Sequence, residues 1–278
     1  MKLICRGGAL LPDLSGVCFA PTMFLWQNIP MPESFLLALV TGAAHRLGKA
    51  FAMSLARQGY ALALHYNSSG DEASVTTDEI RALGVPVFPL QADLTQFAQI
   101  QGLFESIDEV LIRHSSLITH FSVLINSAAI MPRANAQTLS VDDFDTALDL
   151  NLRAPFLLAQ QAYKRMEAGG LIVNISDIAA QKAWTGFPAY TVSKAGLDSL
   201  TKILARSFAP KVRVNAIAPG LVIASDNVSP EEWERLVKRL PIPRVAALGE
   251  ITSALEFLLK NEYITGQTIV VDGGYSLL

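Results

Sequence analysis

Tyr190 and Lys194 stand four residues apart in Tyr190-Thr191-Val192-Ser193-Lys194, a step that puts a phenol and an ammonium on one face of a helix. A positive neighbour favours the phenolate, so Lys194 is expected to lower the Tyr190 pKa from its ordinary value of about 10. A phenol moved toward the working pH can exchange a proton with a substrate. Tyr-x-x-x-Lys is common on exposed helices, so its company decides its meaning.

A second constellation precedes this one. Thr41-Gly42-Ala43-Ala44-His45-Arg46-Leu47-Gly48 falls between an apolar run and a segment of helical period. There, backbone N–H groups at a helix N-terminus would meet a pyrophosphate. Gly42 and Gly48 allow a tight turn and a close approach, although the usual middle glycine is replaced. The next apolar run ends His65-Tyr66-Asn67-Ser68-Ser69, with no carboxylate before Asp71. An acid at that point accepts from a ribose 2′-hydroxyl and repels a 2′-phosphate. Its absence, with Arg46 as a cation and Ser68 and Ser69 as donors, favours NADPH over NADH. Hydride transfer from such a cofactor would accompany the proton carried by Tyr190.

The elements that must hold these residues follow from periodicity. Short apolar runs at Phe35–Val40, Tyr60–Tyr66, Val85–Leu90, Ser122–Asn126, Leu171–Ser176, Val212–Ala218 and Gln267–Val271 read as seven strands. Segments of helical period at about 47–58, 72–83, 96–113, 140–167, 189–209 and 249–260 alternate with them, and Gly59, Gly84 and Gly169 stand where helices end. This alternation predicts an α/β fold of Rossmann type, a doubly wound sheet of seven parallel strands with helices on both faces. Segments 127–139 and 219–248 break the rhythm, the second with Pro219, Gly220, Pro230, Pro241 and Pro243. Both follow the carboxyl end of a strand, where ligands bind in open α/β sheets, so they are expected to wall a pocket.

Bulk properties narrow the classes. The 278 residues, 51% of them hydrophobic, suffice for one large core. With 22 Lys and Arg against 25 Asp and Glu, the chain offers no counter-charge to a phosphate backbone, and nucleic acid is not expected as a partner. Cys5 and Cys18 both fall in the first 34 residues, a tail expected to be a poorly ordered extension or a start-site artefact ahead of a single domain at 35–278. No apolar stretch is long enough to span a bilayer, and a cytoplasmic protein is expected. His45, His65, His114 and His120 have neither ligand spacing nor a cysteine partner in the domain, so no metal is expected.

From Phe35 to Leu278 the chain resembles the short-chain dehydrogenase/reductase family. Thr41–Gly48 resembles its cofactor loop, Asp93-Leu94 its adenine-contacting pair and Asn126-Ser127-Ala128-Ala129 the small-residue segment after strand four. Tyr190 and Lys194 fall at its catalytic pair, Asn151 at the helix asparagine that supports a proton-relay water, and Pro219-Gly220 at the turn beside the nicotinamide. The resemblance implies a homotetramer, with the helices carrying Asn151 and Tyr190 at one interface. It also implies that Lys194 meets the nicotinamide ribose. Thirteen residues before the tyrosine, where the family usually has a serine, stands Asp177; adjacent residues on a strand face opposite ways, so Ser176 cannot take over without a backbone rearrangement. An ionised carboxylate only accepts hydrogen bonds and repels a developing oxyanion, so Asp177 suits a substrate that offers N–H donors or positive character, such as an amino-substituted nitrogen heterocycle. Aspartate in place of the family's usual serine, with Arg46 in the cofactor loop, is similar to the pteridine and dihydromonapterin reductases. That implies an NADPH-dependent reductase of a pterin or related C=N heterocycle. The second cation of that subgroup's His-Tyr-His-Arg-Ser segment is missing, and Ala129 and Met131 stand where it has a serine and a ring-stacking aromatic. Met131, Trp184, Phe187 and Leu221 are the expected substrate-pocket residues. Two alternatives remain open, a carbonyl or 3-oxoacyl reductase of the same family and a non-catalytic dinucleotide sensor. Intact Tyr190, Lys194 and Asn151 weigh against the sensor.

Overall fold

The computed structural model describes residues 34–224 and 228–278. The predicted extension at 1–34, except Ser34, lies outside the described residues, as do Cys5 and Cys18. Seven strands form one sheet: β1 (Phe35–Val40), β2 (Tyr60–Tyr66), β3 (Val87–Gln91), β4 (Ile118–Asn126), β5 (Gly170–Ile175), β6 (Val212–Pro219) and β7 (Thr268–Val271). Their order is β3-β2-β1-β4-β5-β6-β7, and every neighbouring pair is parallel. Runs such as Leu37–Val40 and Leu171–Val173 are buried throughout, as a sheet covered on both faces requires. The chain grows outward in one direction from β1 to β3 and in the other from β4 to β7. That reversal opens a crevice above the carboxyl ends of β1 and β4. Val40 pairs with Leu64 on one side and Ile125 on the other, so Thr41, Tyr66 and Asn126 all end their strands at this crevice.

Helices α1 (Arg46–Arg57), α2 (Gly70–Arg81), α3 (Phe97–Arg113), α4 (Val141–Leu148), α5 (Ala154–Arg165), α6 (Pro188–Phe208), α7 (Pro230–Arg239) and α8 (Leu248–Lys260) connect the strands. Gly59, Gly84 and Gly169 have φ of 82°, 79° and 95°, the left-handed conformation a helix stop needs. Two expectations are revised. The single helix expected over 140–167 is instead α4 and α5 joined by a π-helical turn at Asp149–Arg153, with Asn151 inside it. Pro155 causes no break, because it sits in the first turn of α5. Within 219–248 the structure forms α7, capped by Ser229 accepting from the Glu232 N–H and carrying Lys238 and Arg239 in its last turn. None of its residues is fully buried, but Glu232, Trp233, Leu236 and Val237 are half-buried along one side, so the helix carries an amphipathic period in its sequence. Among the described residues no helix is long and apolar enough to cross a membrane.

Candidate active site

The catalytic candidates converge where β5 ends. Asp177 follows β5 and caps the short helix Ile178–Gln181, its Oδ1 accepting from the Ala179 N–H at 2.8 Å. Its other oxygen accepts from the Tyr190 hydroxyl at 2.8 Å. Ser176 also borders the cavity, and its buried Oγ has no hydrogen-bond partner among the described residues. Tyr190 and Lys194, both buried, stand one turn apart on α6. Lys194 Nζ donates to the Ile175 carbonyl at 2.7 Å and lies 5.6 Å from the centre of the Tyr190 ring.

This geometry reverses one expectation. Lys194 does not lower the Tyr190 pKa in this state. Burial, then the Asp177 charge and its hydrogen bond, hold the phenol well above its ordinary range. The carboxylate is the nearer charge and accepts the phenolic proton, whereas Lys194 turns its own protons to a backbone carbonyl. Burial also pushes Lys194 down to about 8, against the opposing charges of Asp177 and Asp198. Burial raises Asp177, opposed by its bonds from Ala179 and Tyr190 and by the charge of Lys194. The trio thus holds a protonated phenol beside a caged carboxyl group.

The cofactor half is built largely from backbone. A Cβ on Gly48 would lie 2.0 Å from the Gly42 carbonyl oxygen, and one on Gly220 would lie 2.7 Å from the Asp272 Cα, so neither position admits a side chain. Thr41 Oγ1 accepts from the Ser127 and Ala128 N–H groups at 3.0 and 3.1 Å, joining the end of β1 to the loop after β4. The first turn of α1 has no side-chain cap and no acidic residue. Its free N–H groups and positive dipole end therefore suit a pyrophosphate.

The expected cofactor residues Gly42, Arg46, Leu47, Gly48, Tyr66, Asn67, Ser68, Ser69, Asp93, Leu94, Ser127, Ala128, Pro219 and Gly220 border one cavity of about 1140 Å³ with Asp177, Tyr190 and Lys194. So do the expected substrate residues Met131, Trp184, Phe187 and Leu221.

Asn126 does not border the cavity. Its Nδ2 donates to Asn174 Oδ1 at 2.8 Å, and Asn174 donates on to Thr201, a polar chain linking β4, β5 and α6 behind the cavity wall. Asn151 is likewise withdrawn: its side chain accepts from the Ile130 N–H and donates to the Ile130 carbonyl and Ser193 Oγ. A water-holding role would therefore fall to its backbone in the π-turn. Arg46, in the left-handed region at φ 54°, donates to the carbonyls of Ile223 and Ala224 at 3.2 and 2.8 Å. Both bonds come from Nη2, so this exposed guanidinium reaches the substrate segment while still bordering the cavity with the end of β2.

Several cavity residues escaped sequence reasoning. Arg133 pairs with Glu232 on α7 at 3.1 Å, and its guanidinium also lies over Phe187, 5.6 Å from the ring centre. Tyr275 packs against Trp184 with ring centres 6.0 Å apart. The signals for these residues, a loop arginine and a C-terminal tyrosine, have no spacing relation to one another.

A parallel sheet reversing above an open helix N-terminus, with a Tyr–Lys–Asp trio at the next strand end, defines a dinucleotide-dependent oxidoreductase. Comparison with known proteins narrows the class. A family model described as Enoyl-(Acyl carrier protein) reductase matches residues 42–276. A 3-oxoacyl-[acyl-carrier-protein] reductase of Staphylococcus aureus is 34% identical over 244 residues, 85% of this chain and 96% of that relative. The chain belongs to the short-chain dehydrogenase/reductase family and is an NAD(P)-dependent oxidoreductase. Among solved structures, FolM alternative dihydrofolate reductase 1 of Brucella suis, in complex with NADP, is 34% identical with a TM-score of 0.79, covering 87% of this chain and 96% of that one. A short-chain dehydrogenase/reductase of Serratia marcescens is 29% identical with a TM-score of 0.80, covering 88% of this chain and 99% of that one.

Proposed function

We propose that this chain is an NADPH-dependent reductase of the C=N bond of a pterin or related nitrogen heterocycle. The observation that carries the reading is Asp177, a carboxylate 2.8 Å from the Tyr190 hydroxyl, where a carbonyl substrate would need a donor. The FolM likeness supports it. NADP fits the cavity through the open first turn of α1, with Asn67, Ser68 and Ser69 replacing the acid that would repel a 2′-phosphate.

NADPH, when bound, supplies the hydride. Asp177 accepts from a ring amino or N–H group and so orients the heterocycle, releasing the Tyr190 hydroxyl from its present bond. Tyr190, kept protonated by burial and by Asp177, then gives its proton to the nitrogen while the adjacent carbon gains the hydride, so C=N becomes CH–NH. Lys194, fixed by the Ile175 carbonyl, holds positive charge beside the phenolate left behind and beside the nicotinamide ribose. The Asn151 backbone offers a route for the replacement proton. The same reading takes the protein as a cytoplasmic homotetramer, with exposed Phe156 on α5 and Val192 and Ile203 on α6 supplying apolar surface.

One observation favours a second reading, reduction of a 3-oxoacyl or other carbonyl group. Burial raises the Asp177 pKa, and a protonated Asp177 could donate to a carbonyl oxygen; the Staphylococcus aureus relative acts on such a substrate by its name. NADPH oxidation measured with dihydropterins, dihydrofolate, a 3-oxoacyl thioester and simple ketones separates the two. The proposal expects kcat/KM for a dihydropterin or dihydrofolate to exceed that for every carbonyl compound. Efficient turnover of the thioester with none of the pterins would overturn it.

A further inference from the structure

His65 is the penultimate residue of β2, at 2% exposure, and borders the cofactor side of the cavity. Its ring holds two separate segments by their backbones. Nδ1 accepts the Gly42 N–H at 3.1 Å, and Nε2 donates to the Ala92 carbonyl at 3.0 Å. Only the neutral ring with its proton on Nε2 can do both. Burial keeps it in that form by pushing its pKa down to about 4, the bond to Ala92 opposing. The two segments also lean on the backbone of the same strand: the Ala43 N–H donates to the His65 carbonyl at 2.9 Å, and the Ala92 N–H donates to the Tyr66 carbonyl at 3.1 Å.

The positions of these contacts give them meaning. Gly42, at φ 63°, is the residue on whose carbonyl Gly48 closes, so its orientation sets how the turn into α1 presents its N–H groups. Ala92 leads directly into Asp93 and Leu94 on the opposite side of the same crevice. One imidazole therefore fixes the spacing between the segment that meets a pyrophosphate and the segment that meets an adenine. We propose that His65 is a positioning residue for the dinucleotide: its ring presets the two walls between which the adenosine diphosphate half lies. The inference rests on the assignment of this crevice to NADPH.

Asparagine and glutamine separate this role from that of an ordinary core histidine. In His65→Asn the amide oxygen takes the place of Nδ1 and can still accept from Gly42. In His65→Gln the amide nitrogen takes the place of Nε2, retaining the bond to Ala92 while the Gly42 N–H loses its acceptor. His65→Leu removes both. Fluorescence titration of the purified protein with NADPH reads affinity directly, and thermal unfolding reads stability. His65→Gln and His65→Leu are expected to raise the NADPH Kd roughly tenfold, since a buried donor is left unpaired, and His65→Asn to raise it less than about threefold. The KM for NADPH should rise with Kd, and kcat at saturating NADPH should fall by a smaller factor. Should His65→Leu fail to fold, the Asn and Gln pair still decides. Wild-type NADPH affinity in both variants, or losses of affinity that only follow losses of Tm, would overturn the inference. A wild-type protein that does not bind NADPH at all would overturn the cofactor assignment and this inference with it.

Discussion

The two walls of the cavity are made of different materials. The cofactor wall is backbone against backbone: Gly48 on the Gly42 carbonyl, Thr41 on two N–H groups of the next loop, and His65 on Gly42 and Ala92. The substrate wall is side chain against side chain and largely open to water. Its Arg133–Glu232 pair retains 49% and 27% side-chain exposure, and α7 buries no residue. A backbone-built wall tolerates almost no substitution, because a Cβ has nowhere to go. A side-chain wall can be rebuilt one contact at a time, each contact worth little in water. The chemistry sits on the seam, with Tyr190 and Lys194 on α6 and Asp177 on the β5 end, all anchored to the sheet.

Three substitutions grade this contrast. On the seam, Tyr190→Phe removes the proton donor alone, so kcat should fall by about 10² to 10⁴ while NADPH binding is kept. Retention of more than a tenth of the activity would exclude Tyr190 as the acid. On the cofactor wall, Gly48→Ala forces its methyl onto the Gly42 oxygen. The strain is of the order of 1–3 kcal/mol, which predicts an NADPH Kd raised about five- to hundredfold together with a lower Tm. Wild-type affinity in calorimetry would show that the turn is softer than its contacts imply. On the substrate wall, Glu232→Gln breaks a pair that is partly exposed, and such pairs contribute about 0–1 kcal/mol. The KM for the heterocycle should change less than about fivefold and the NADPH Kd not at all; a large change in either would mean that the two walls are coupled through α7.

What the sequence makes legible follows the same division. The seven parallel strands, the tight Gly42–Gly48 turn and the one-turn step from Tyr190 to Lys194 match the reading, because periodicity, local sterics and a fixed helical step determine them. Asn126 and Asn151 occupy family positions, yet their side chains turn inward to Asn174 and to the Ile130 backbone. A sequence position specifies the element, not which way a polar side chain finds its partner. The bonds from Arg46 to the substrate segment were out of reach for a similar reason, since Ile223 and Ala224 lie 177 and 178 residues away. The Tyr190 pKa went astray because the helical step reveals the lysine, while the carboxylate that outweighs it arrives from another strand. Helix α7 did carry a local signal, Ser229 with Pro230 and Glu232 and the apolar spacing of Trp233, Leu236 and Val237, but the surrounding Pro219, Gly220, Pro241 and Pro243 made the whole segment read as loop.

The central claim is that Asp177, and not a hydroxyl, selects the substrate. Asp177→Ser tests it with both substrate classes assayed on one variant, NADPH affinity serving as the check that the site is intact. The variant loses an acceptor for the ring N–H groups and gains a hydroxyl donor. Loss of a hydrogen bond to a charged group, about 1.5–3 kcal/mol, corresponds to a fall of roughly ten- to hundredfold in kcat/KM for the dihydropterin. Reduction of the ketone or 3-oxoacyl thioester should hold or rise, so that the ratio of the two activities shifts toward the carbonyl compounds. If the substitution instead lowers carbonyl reduction and leaves dihydropterin reduction unchanged, Asp177 serves a carbonyl oxygen as a protonated donor, and the assignment to nitrogen heterocycles is contradicted.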